Sequence, residues 1–359
     1  MWLKSTFKGD VVMKKTGKAF ILGLLCMSIL MLAACGGDKA QSGGGDTAGG
    51  GDGGDSGSSK VQVGMSFHSM QNDVFVFSED YLTQFGKEAD PQVGFEFVVA
   101  DEDVSKQTAD VNDLISKKPN VIAICPQDSR AVESSIKAAH GAGLPVVVFN
   151  RPVNPDVAEQ PDCFVGIDST DQGYAAAKEV FEMMKADGVT DIQVVAISGL
   201  LTDENSVNRS NGLAAAAQEY GATIVADIPC DWDPELAAAN LPAALQANPQ
   251  VNCVFVSSDG MLPGVESALA DANRWVPNGE EGHMYIASCD CFSIGMEMLE
   301  AGYVDSDALF DIVTQCKRTI EVINTLAAGG TVEPEILVEA PVFTRDNMTD
   351  EAMKALLWQ

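Results

Sequence analysis

The chain places polar and aromatic side chains directly after a series of short apolar segments. Carboxylates, amides and guanidinium groups can donate hydrogen bonds to hydroxyls or accept them, and an aromatic ring matches the apolar face of a sugar. These residue types in this pattern indicate a site for a small polar solute, such as a carbohydrate. The full set is Asn72, Phe75, Asn150, Arg151, Asp203, Asn205, Arg209, Trp232, Ser258, Asp259, Asp290 and Asp311.

Each of these residues also has a purely structural interpretation. An aspartate or asparagine after a strand often caps the following helix or forms a turn. Trp232 could belong to the core, and His68, which follows the first apolar segment, could be an ordinary loop histidine. The two arginines favour the binding interpretation more strongly, since neither caps a helix.

Strand-like and helix-like segments alternate along the body of the chain, as in α/β proteins. The strand-like segments are continuous Val/Ile runs, which are typical of parallel strands covered on both faces. Strands are predicted at 61–66, 95–99, 121–125, 146–149, 192–198, 224–228, 254–256, 285–287 and 309–310. Helices are predicted at 76–89, 105–116 and 129–139.

The second half of the body repeats the order of the first. Pro119-Asn120-Val121 and its strand return about 130 residues later as Pro249-Gln250-Val251. The repeat predicts two doubly wound, parallel-sheet lobes. Ligands of such sheets bind beyond the carboxyl ends of the strands, and these ends of two lobes can face one another across a cleft.

Charge excludes several classes of function. The chain has 359 residues and a net charge of −30, and its first 34 residues hold five of the 22 basic residues and one of the 52 acidic ones. The remaining body is therefore even more acidic, so it repels nucleic acid phosphates and anionic lipid surfaces. Neither nucleic acid nor a membrane surface is expected as a partner of the body.

The N-terminal segment predicts export. Lys14, Lys15 and Lys18 precede an apolar run that ends at Ala33-Ala34-Cys35, so residues 1–34 indicate a secretory signal, with Met13 as the natural start. Cys35 after Leu-Ala-Ala resembles the lipobox of bacterial lipoproteins, which implies lipidation and an outward-facing membrane anchor. An ordinary signal with an incidental cysteine is the alternative. Residues 35–60, rich in Gly, Ser and Asp, predict a flexible tether.

Seven of the nine cysteines lie in the body. An odd number leaves at least one thiol unpaired, and several of these cysteines fall in apolar runs, where a free cysteine behaves as a small hydrophobe. Cys289-Asp290-Cys291 lacks the spacing of a zinc site. The sequence therefore predicts buried free thiols, and neither a metal nor a cofactor is expected.

From residue 61 to about residue 345 the chain resembles the periplasmic sugar-binding proteins of ABC transporters, of the ribose- and galactose-binding type. The resemblance depends on the order and spacing of five stretches. They are Gln71-Asn72-Asp73-Val74-Phe75, Val147-Val148-Phe149-Asn150-Arg151-Pro152, Asn208-Arg209-Ser210-Asn211-Gly212, Asp231-Trp232-Asp233 and Ser258-Asp259-Gly260-Met261. The resemblance implies that Asn72, Phe75, Asn150, Arg151, Arg209, Trp232, Asp290 and Asp311 line a sugar cleft.

The resemblance also implies a division of the chain into lobes. Three crossings are expected near Ile167-Asp168, Asp311-Ile312 and Pro341-Val342. They assign 61–167 with 312–340 to an N-terminal lobe and 168–311 with 341–359 to a C-terminal lobe. Val74, Ser258 and the turn around Asp290 depart from the family pattern, which leaves the ring size and stereochemistry of the sugar open.

The prediction is a monomeric, non-enzymatic receptor that closes on a monosaccharide and delivers it to an ABC permease. An exported enzyme is a rival, but the chain has no GxGxxG after a strand, no Walker loop and no GxSxG elbow. A sugar-responsive transcription regulator conflicts with the signal and the acidic body. The same receptor could instead bind an autoinducer, a polyol or a nucleoside, for uptake or for chemosensing, and this alternative stays open.

Overall fold

The structure, a computed structural model, describes residues 60–357, so the predicted signal, Cys35 and nearly all of the tether lie outside the described residues. Two six-stranded sheets form the body. The sheet of the first lobe has the strand order β11-β5-β4-β3-β1-β2, and that of the second has the order β12-β10-β9-β8-β6-β7. Every strand pairing is parallel except β10 with β12. The predicted fold class, two doubly wound parallel-sheet lobes, is confirmed.

The first lobe is built from the elements before residue 168, together with α9 and β11. Continuous apolar runs make its central strands inaccessible on both faces. The elements are β1 Val61–Phe67, α1 Asp73–Glu88, β2 Val93–Val99, α2 Val104–Ser116, β3 Val121–Ile124, α3 Glu133–Gly141, β4 Val146–Phe149, β5 Cys163–Ile167, α9 Ile312–Ala327 and β11 Glu335–Val338.

The second lobe repeats this plan. A short 3-10 turn, Asp259–Met261, precedes α7. The other elements are α4 Ser169–Ala186, β6 Gln193–Ser198, α5 Glu204–Tyr220, β7 Thr223–Pro229, α6 Pro234–Ala247, β8 Cys253–Val256, α7 Leu262–Asp271, β9 Tyr285–Asp290, α8 Ser293–Ala301, β10 Ser306–Leu309, β12 Val342–Phe343 and α10 Glu351–Lys354.

Several helices begin at other residues than the sequence predicts, and side-chain caps explain the shifts. α1 begins at Asp73 rather than at 76 because the Asn72 side chain accepts from the Val74 amide. α3 begins at Glu133 rather than at 129. The Asp128 carboxylate accepts from the amides of Arg130 and Ala131, which holds residues 128–132 in a turn.

The chain passes between the sheets three times, after β5, after β10 and after β11. Helix α4 follows β5 but packs on the second sheet, where Ala176 and Val180 join its apolar core. Helix α9 follows β10 but packs on the first sheet through Ile320 and Ile323. Each lobe therefore contains an element from the part of the chain that otherwise builds the other lobe, and β5 and β11, which precede two of the connections, are neighbours in the first sheet.

Helices α4 and α5 approach each other closely because each has a glycine at the crossing. A Cβ on Gly173 would lie 2.3 Å from the Arg209 carbonyl oxygen, and one on Gly212 would lie 2.2 Å from that of Thr170. No other residue type fits without moving the helices apart. This contact fixes α5, which carries two of the predicted binding residues, Asn205 and Arg209, against α4.

The seven body cysteines are all buried free thiols, as predicted. Burial raises the pKa of the Cys125 thiol to about 12 and that of Cys163 to about 11, so both are neutral at physiological pH. Within residues 60–357, no helix is both long and apolar enough to span a bilayer.

Candidate ligand-binding cleft

Arg209 is held in the second lobe through all three of its guanidinium nitrogens. Its Nε donates to the Gln172 side chain at 2.8 Å, and its Nη1 donates to the Ser257 carbonyl at 2.5 Å. Its Nη2 donates to Asp290 Oδ1 at 2.7 Å in a buried ion pair. Since every partner belongs to the same lobe, Arg209 keeps this position whether or not the first lobe is near.

The start of α5 explains how Arg209 reaches this position. The Asp203 side chain caps the helix by accepting from the Asn205 amide at 3.0 Å. Asn205 and Arg209 are four residues apart, so they share one face of the helix. That face points to the carboxyl ends of the strands, where Asp290 ends β9.

Asp290 occupies a backbone conformation that is unusual for a residue with a side chain, with φ of 114°. Its second oxygen accepts from the Ser258 hydroxyl at 2.5 Å. Burial raises the pKa of Asp290, while the Arg209 guanidinium and the Ser258 hydroxyl favour its charged form. Such a strained, fully satisfied carboxylate is typical of a binding site.

Trp232 lies flat against the backbone of the second lobe. A Cβ on Gly199 would approach the indole ring to 2.3 Å, so the ring requires glycine there. The Arg209 guanidinium carbon lies 5.8 Å from the centre of the indole ring. The buried indole Nε1 has no hydrogen-bond partner. A buried donor of this kind is costly unless something outside the protein accepts from it.

Arg151 forms the corresponding group in the first lobe. Its guanidinium carbon lies 5.9 Å from the ring centre of Phe75. Its Nε pairs with Asp203 Oδ2 at 2.8 Å, and both side chains are at least 92% buried because their exposed fractions are 8% and 1%. The buried Nη1 has no partner. Unlike the ion pair of Arg209, this ion pair joins the two lobes.

A second contact between the lobes lies beside that ion pair. The Asn205 Nδ2 donates to the carbonyl of Asn150 at 3.1 Å, and the Ser169 hydroxyl donates to Asn205 Oδ1 at 2.9 Å. Asn150 has φ of 69°, the left-handed conformation that asparagine tolerates. The predicted residues Asn150, Arg151, Asp203 and Asn205 are therefore brought together in a closed arrangement of the lobes.

Phe75 is supported by a pair of residues that the sequence left out of the site. The His68 ring meets the Phe75 ring edge-on, with 4.3 Å between their centres. The Nδ1 of His68 lies 3.4 Å from the Cys125 sulfur. Burial, and then the charge of Arg151, hold the pKa of His68 well below its usual value, so the ring is neutral.

The remaining predicted residues differ in their surroundings. Asn72 and Asp311 use their side chains as helix caps, accepting from the amides of Val74 and Thr314 respectively. Asp259 lies in a separate buried cluster, where it accepts from the Phe292 amide at 2.8 Å and from the Ser288 hydroxyl. The sequence missed Gln172, which lies within α4, and Ser257, which directly follows β8 but takes part through its backbone carbonyl. A backbone contact leaves no signal in the residue type.

The two arginines of the cleft have their charges balanced. Each arginine is paired with one carboxylate, Arg151 with Asp203 and Arg209 with Asp290. Each guanidinium also lies over an aromatic ring. In residues 60–357 no cluster of three or more His, Cys, Asp or Glu side chains could hold a metal ion. The arginines can therefore donate hydrogen bonds to a ligand, and the aromatic rings can pack against it, while the two ion pairs keep the net charge of these groups at zero.

A family model described as the periplasmic binding protein domain matches residues 63–331. The chain is similar to a putative rhizopine-binding protein of Rhizobium meliloti, with 26% identity over 69% of this chain and 79% of that protein. It is similar to the D-ribose/D-allose-binding protein of Pseudomonas aeruginosa, with 28% identity over 79% and 88%.

A solved structure of an ABC transporter solute-binding protein from Mycobacterium smegmatis, with bound glycerol, has the same fold. The TM-score is 0.72, the identity is 24%, and the match covers 84% of this chain and 98% of that one. All three of these proteins are named for binding rather than for catalysis.

Proposed function

Because this chain belongs to the periplasmic binding protein family, whose sugar-binding members serve ABC transporters outside the cytoplasm, we propose that it captures a monosaccharide between its lobes and delivers it to a membrane permease. The ligand site consists of the twelve residues named above, with Arg151 and Arg209 as the principal donors. The lobes are residues 61–167 with 312–340, and 168–311 with 341–359.

The observation that carries this proposal is a pair of buried donors without partners. Arg151 Nη1 comes from the first lobe and Trp232 Nε1 from the second. An unmade buried hydrogen bond costs about 1–3 kcal/mol, so a ligand that supplies both acceptors gains that amount twice. A sugar carries acceptor oxygens around its ring, so one ligand that touches both lobes would offer acceptors to both donors.

Charge balance selects for an uncharged ligand. A sugar acid would bring a third carboxylate near Asp203 and Asp290, and both arginines already have carboxylate partners. An amino sugar would place a cation beside two guanidinium groups. Either ligand would bury an uncompensated charge, which costs more than a lost hydrogen bond. A neutral sugar or polyol avoids this cost, and the rings of Phe75 and Trp232 can cover its apolar faces.

Thermal unfolding of the purified chain with a panel of solutes tests the proposal. The panel contains D-ribose, D-allose, myo-inositol, xylitol, a nucleoside, D-glucuronate and D-glucosamine. A solute that binds only the folded chain should stabilise it by about 2.7 kcal/mol at a hundred times its dissociation constant. A shift with a neutral sugar alone supports the proposal. A shift only with the nucleoside or a charged solute keeps a receptor but refutes the sugar.

Two variants locate the binding to the cleft. Trp232→Phe keeps an aromatic ring and removes Nε1, so the shift with the bound sugar should decrease. Trp275→Phe is the matched control, because Trp275 stacks on Tyr303 at 4.6 Å, outside the set of cleft residues. Equal shifts in the two variants would place the ligand elsewhere.

We also propose that Cys35 carries the lipid that anchors the chain to the outer face of the cell membrane. The support is the run Leu32-Ala33-Ala34-Cys35 after the basic and apolar segments. Fractionation of cells that express the wild type and Cys35→Ala tests this. The wild type should remain with the membranes and the variant should be released, and equal distributions would refute the anchor.

A further inference from the structure

Four residues join the lobes at one edge of the cleft, outside the proposed ligand site. Ser129 and Asn154 belong to the first lobe, and Thr202 and Glu204 to the second. The Ser129 amide donates to the Thr202 carbonyl at 3.0 Å, and the Glu204 amide donates to the Ser129 hydroxyl oxygen at 3.2 Å. The Asn154 amide nitrogen donates to the Glu204 carboxylate. We call these four residues the clasp.

The first-lobe side of the clasp is held in place by its own lobe. The Asn154 amide donates to the Ser129 carbonyl at 2.9 Å, which fixes the two residues relative to each other. The Asn154 Oδ1 accepts from the Asp156 amide at 3.0 Å, so its Nδ2 must point towards Glu204. Ser129 and Asn154 are buried, with exposed fractions of 2% and 8%. Little conformational freedom is therefore lost when the clasp forms.

The second-lobe side of the clasp is the N-terminus of α5. Glu204 is the first residue of that helix, and its amide has no partner within the helix. Ser129 supplies the missing acceptor from the other lobe, so it completes the capping of α5 only while the lobes are together. Asp203, between Thr202 and Glu204, pairs with Arg151 of the first lobe in the same region.

We propose that the clasp stabilises the closed arrangement of the lobes with or without ligand, so that it raises the affinity for every ligand by the same factor. This inference rests on the proposed function only in that the lobes close on a solute. Ser129, Asn154, Thr202 and Glu204 set affinity, whereas the residues in the cleft decide which solute is bound.

Closure of the lobes and binding of a ligand are thermodynamically linked, because the ligand contacts both lobes only in the closed state. The hydrogen bonds of the clasp exist only in the closed state, since opening of the lobes separates their partners. A contact that favours the closed state increases the fraction of molecules competent to bind, and the apparent dissociation constant falls by the same fraction for each ligand. Net hydrogen-bond contributions of ~1 kcal/mol correspond to about a fivefold change in affinity for each bond.

Small-angle scattering of the full chain without ligand provides the first test. Asn154→Asp places a carboxylate opposite Glu204, so it should shift the population towards open molecules and increase the radius of gyration relative to the wild type. Ser129→Ala should act in the same direction, more weakly. Ser134→Ala is the matched control, because the Ser134 hydroxyl donates within its own turn to the Ala131 carbonyl. Superimposable curves for wild type and Asn154→Asp would overturn the proposal.

Calorimetric titration with D-ribose and D-allose provides the second test. Asn154→Ala should weaken both affinities by about fivefold and leave their ratio unchanged. Unchanged affinities, or a ratio altered more than twofold, would contradict a clasp that acts through closure alone. If neither sugar binds the wild type, the titration uses two solutes that stabilise the chain in the thermal panel, and the ligand-free scattering decides independently whether the clasp exists.

Discussion

Each lobe contributes an arginine, an aromatic ring and an ion pair to the cleft, but the two groups are built differently. Around Arg209 every hydrogen bond is made within the second lobe, and three nitrogens have partners. Around Arg151 the one ion pair reaches across to Asp203, and Nη1 has no partner. The hydrogen bonds of Arg209 therefore do not depend on closure, whereas the ion pair of Arg151 is made only when the lobes are together.

This difference assigns separate tasks to the two groups. A prebuilt group binds at low entropic cost because its side chains are already ordered. The Arg151 group makes its ion pair only in the closed state, so it favours closure of the lobes. It thereby links ligand binding to the closed shape that a permease would recognise. We therefore expect loss of the Arg209 group to damage the fold itself, and loss of the Arg151 group to damage closure.

Removal of the two arginines should separate these tasks most clearly. Arg209→Ala leaves Asp290 buried without its cation, so the free energy of unfolding without ligand should fall by about 3–5 kcal/mol. Arg151→Ala should lower it by less than about 1 kcal/mol, because opening of the lobes returns Asp203 to water. Urea unfolding of both variants measures the difference.

Ligand binding provides the control for that comparison. Arg151→Ala should remain folded yet bind the proposed sugar weakly, which distinguishes a closure defect from a folding defect. Equal losses of stability in the two variants would show that both groups are preformed, and the distinction between the lobes would then be wrong.

Gly199 tests how strictly the second-lobe group is prebuilt. Gly199→Ala introduces a Cβ that would lie 2.3 Å from the indole of Trp232, so the ring must leave its present position. Sugar affinity should decrease tenfold or more, about 1.4 kcal/mol, with the fold retained. Gly260→Ala is the control, since its Cβ would meet only the Ser258 hydroxyl at 3.7 Å. Unchanged affinity in Gly199→Ala would show that the position of Trp232 is not critical.

The fold was predictable from the sequence because its signals are local and repeated. Continuous Val/Ile runs set the strands, and the return of Pro119-Asn120-Val121 as Pro249-Gln250-Val251 indicated two similar lobes. The boundaries of helices were less predictable. Caps such as Asn72 and the turn around Asp128 depend on which amide each side chain reaches, and residue type alone does not specify that.

The sequence indicated several residues that lie together at the proposed cleft, but not the contacts between them. Residues after strands were expected at one edge, and Ser258 with Asp290 illustrates why, since the parallel neighbours β8 and β9 end on the same side of the sheet. Gln172 was not predicted because it lies within helix α4. The close contact of α4 with α5 at Gly173 and Gly212 brings it within hydrogen-bond distance of Arg209. Asp259 and Ser258 are adjacent, yet only Ser258 bonds to Asp290.

A buried pair of carboxyl groups, Asp259 and Asp307, holds the backbone next to the Arg209 group. This pair should make the stability of the folded chain decrease as the pH rises. Asp259 accepts from the Phe292 amide and Asp307 from the Cys291 amide, which fixes the backbone just after Asp290. Burial raises the pKa of Asp307 from 3.8 to about 7, and burial together with Asp307 raises that of Asp259.

The free energy of unfolding should depend on pH because the folded and unfolded chains bind different numbers of protons at this pair. Between pH ~4 and 7 the folded chain keeps a proton that the unfolded chain loses, so this pair makes the chain less stable as the pH rises. Asp307→Asn removes that titration, and its free energy of unfolding should vary less with pH over this window. Urea unfolding at several pH values measures this, and parallel curves for variant and wild type would exclude the pair as the cause.

His68, beside the Arg151 group, should make the chain less stable as the pH falls, which is opposite to the effect of Asp259 and Asp307. This is the smallest of the expected effects. The folded chain holds His68 neutral, through burial and then the nearby Arg151, with only the neutral Cys125 thiol as a hydrogen-bond partner. Below pH 6.5 the unfolded chain takes up a proton that the folded chain refuses, so this contribution to stability is lost as the pH falls.

The other two histidines, His140 and His283, change the stability in the opposite direction with pH. The effect of His68 must therefore be measured as a difference between a variant and the wild type. Carboxylates raise the pKa values of His140 and His283 despite burial, and their contributions are lost as the pH rises. The curve for His68→Gln minus that for the wild type isolates His68. It should show the variant gaining relative stability between pH 6.5 and 5. A difference that is flat with pH would mean that His68 binds its proton equally well in the folded and the unfolded chain, and the two halves of the cleft would then not differ in their response to acid.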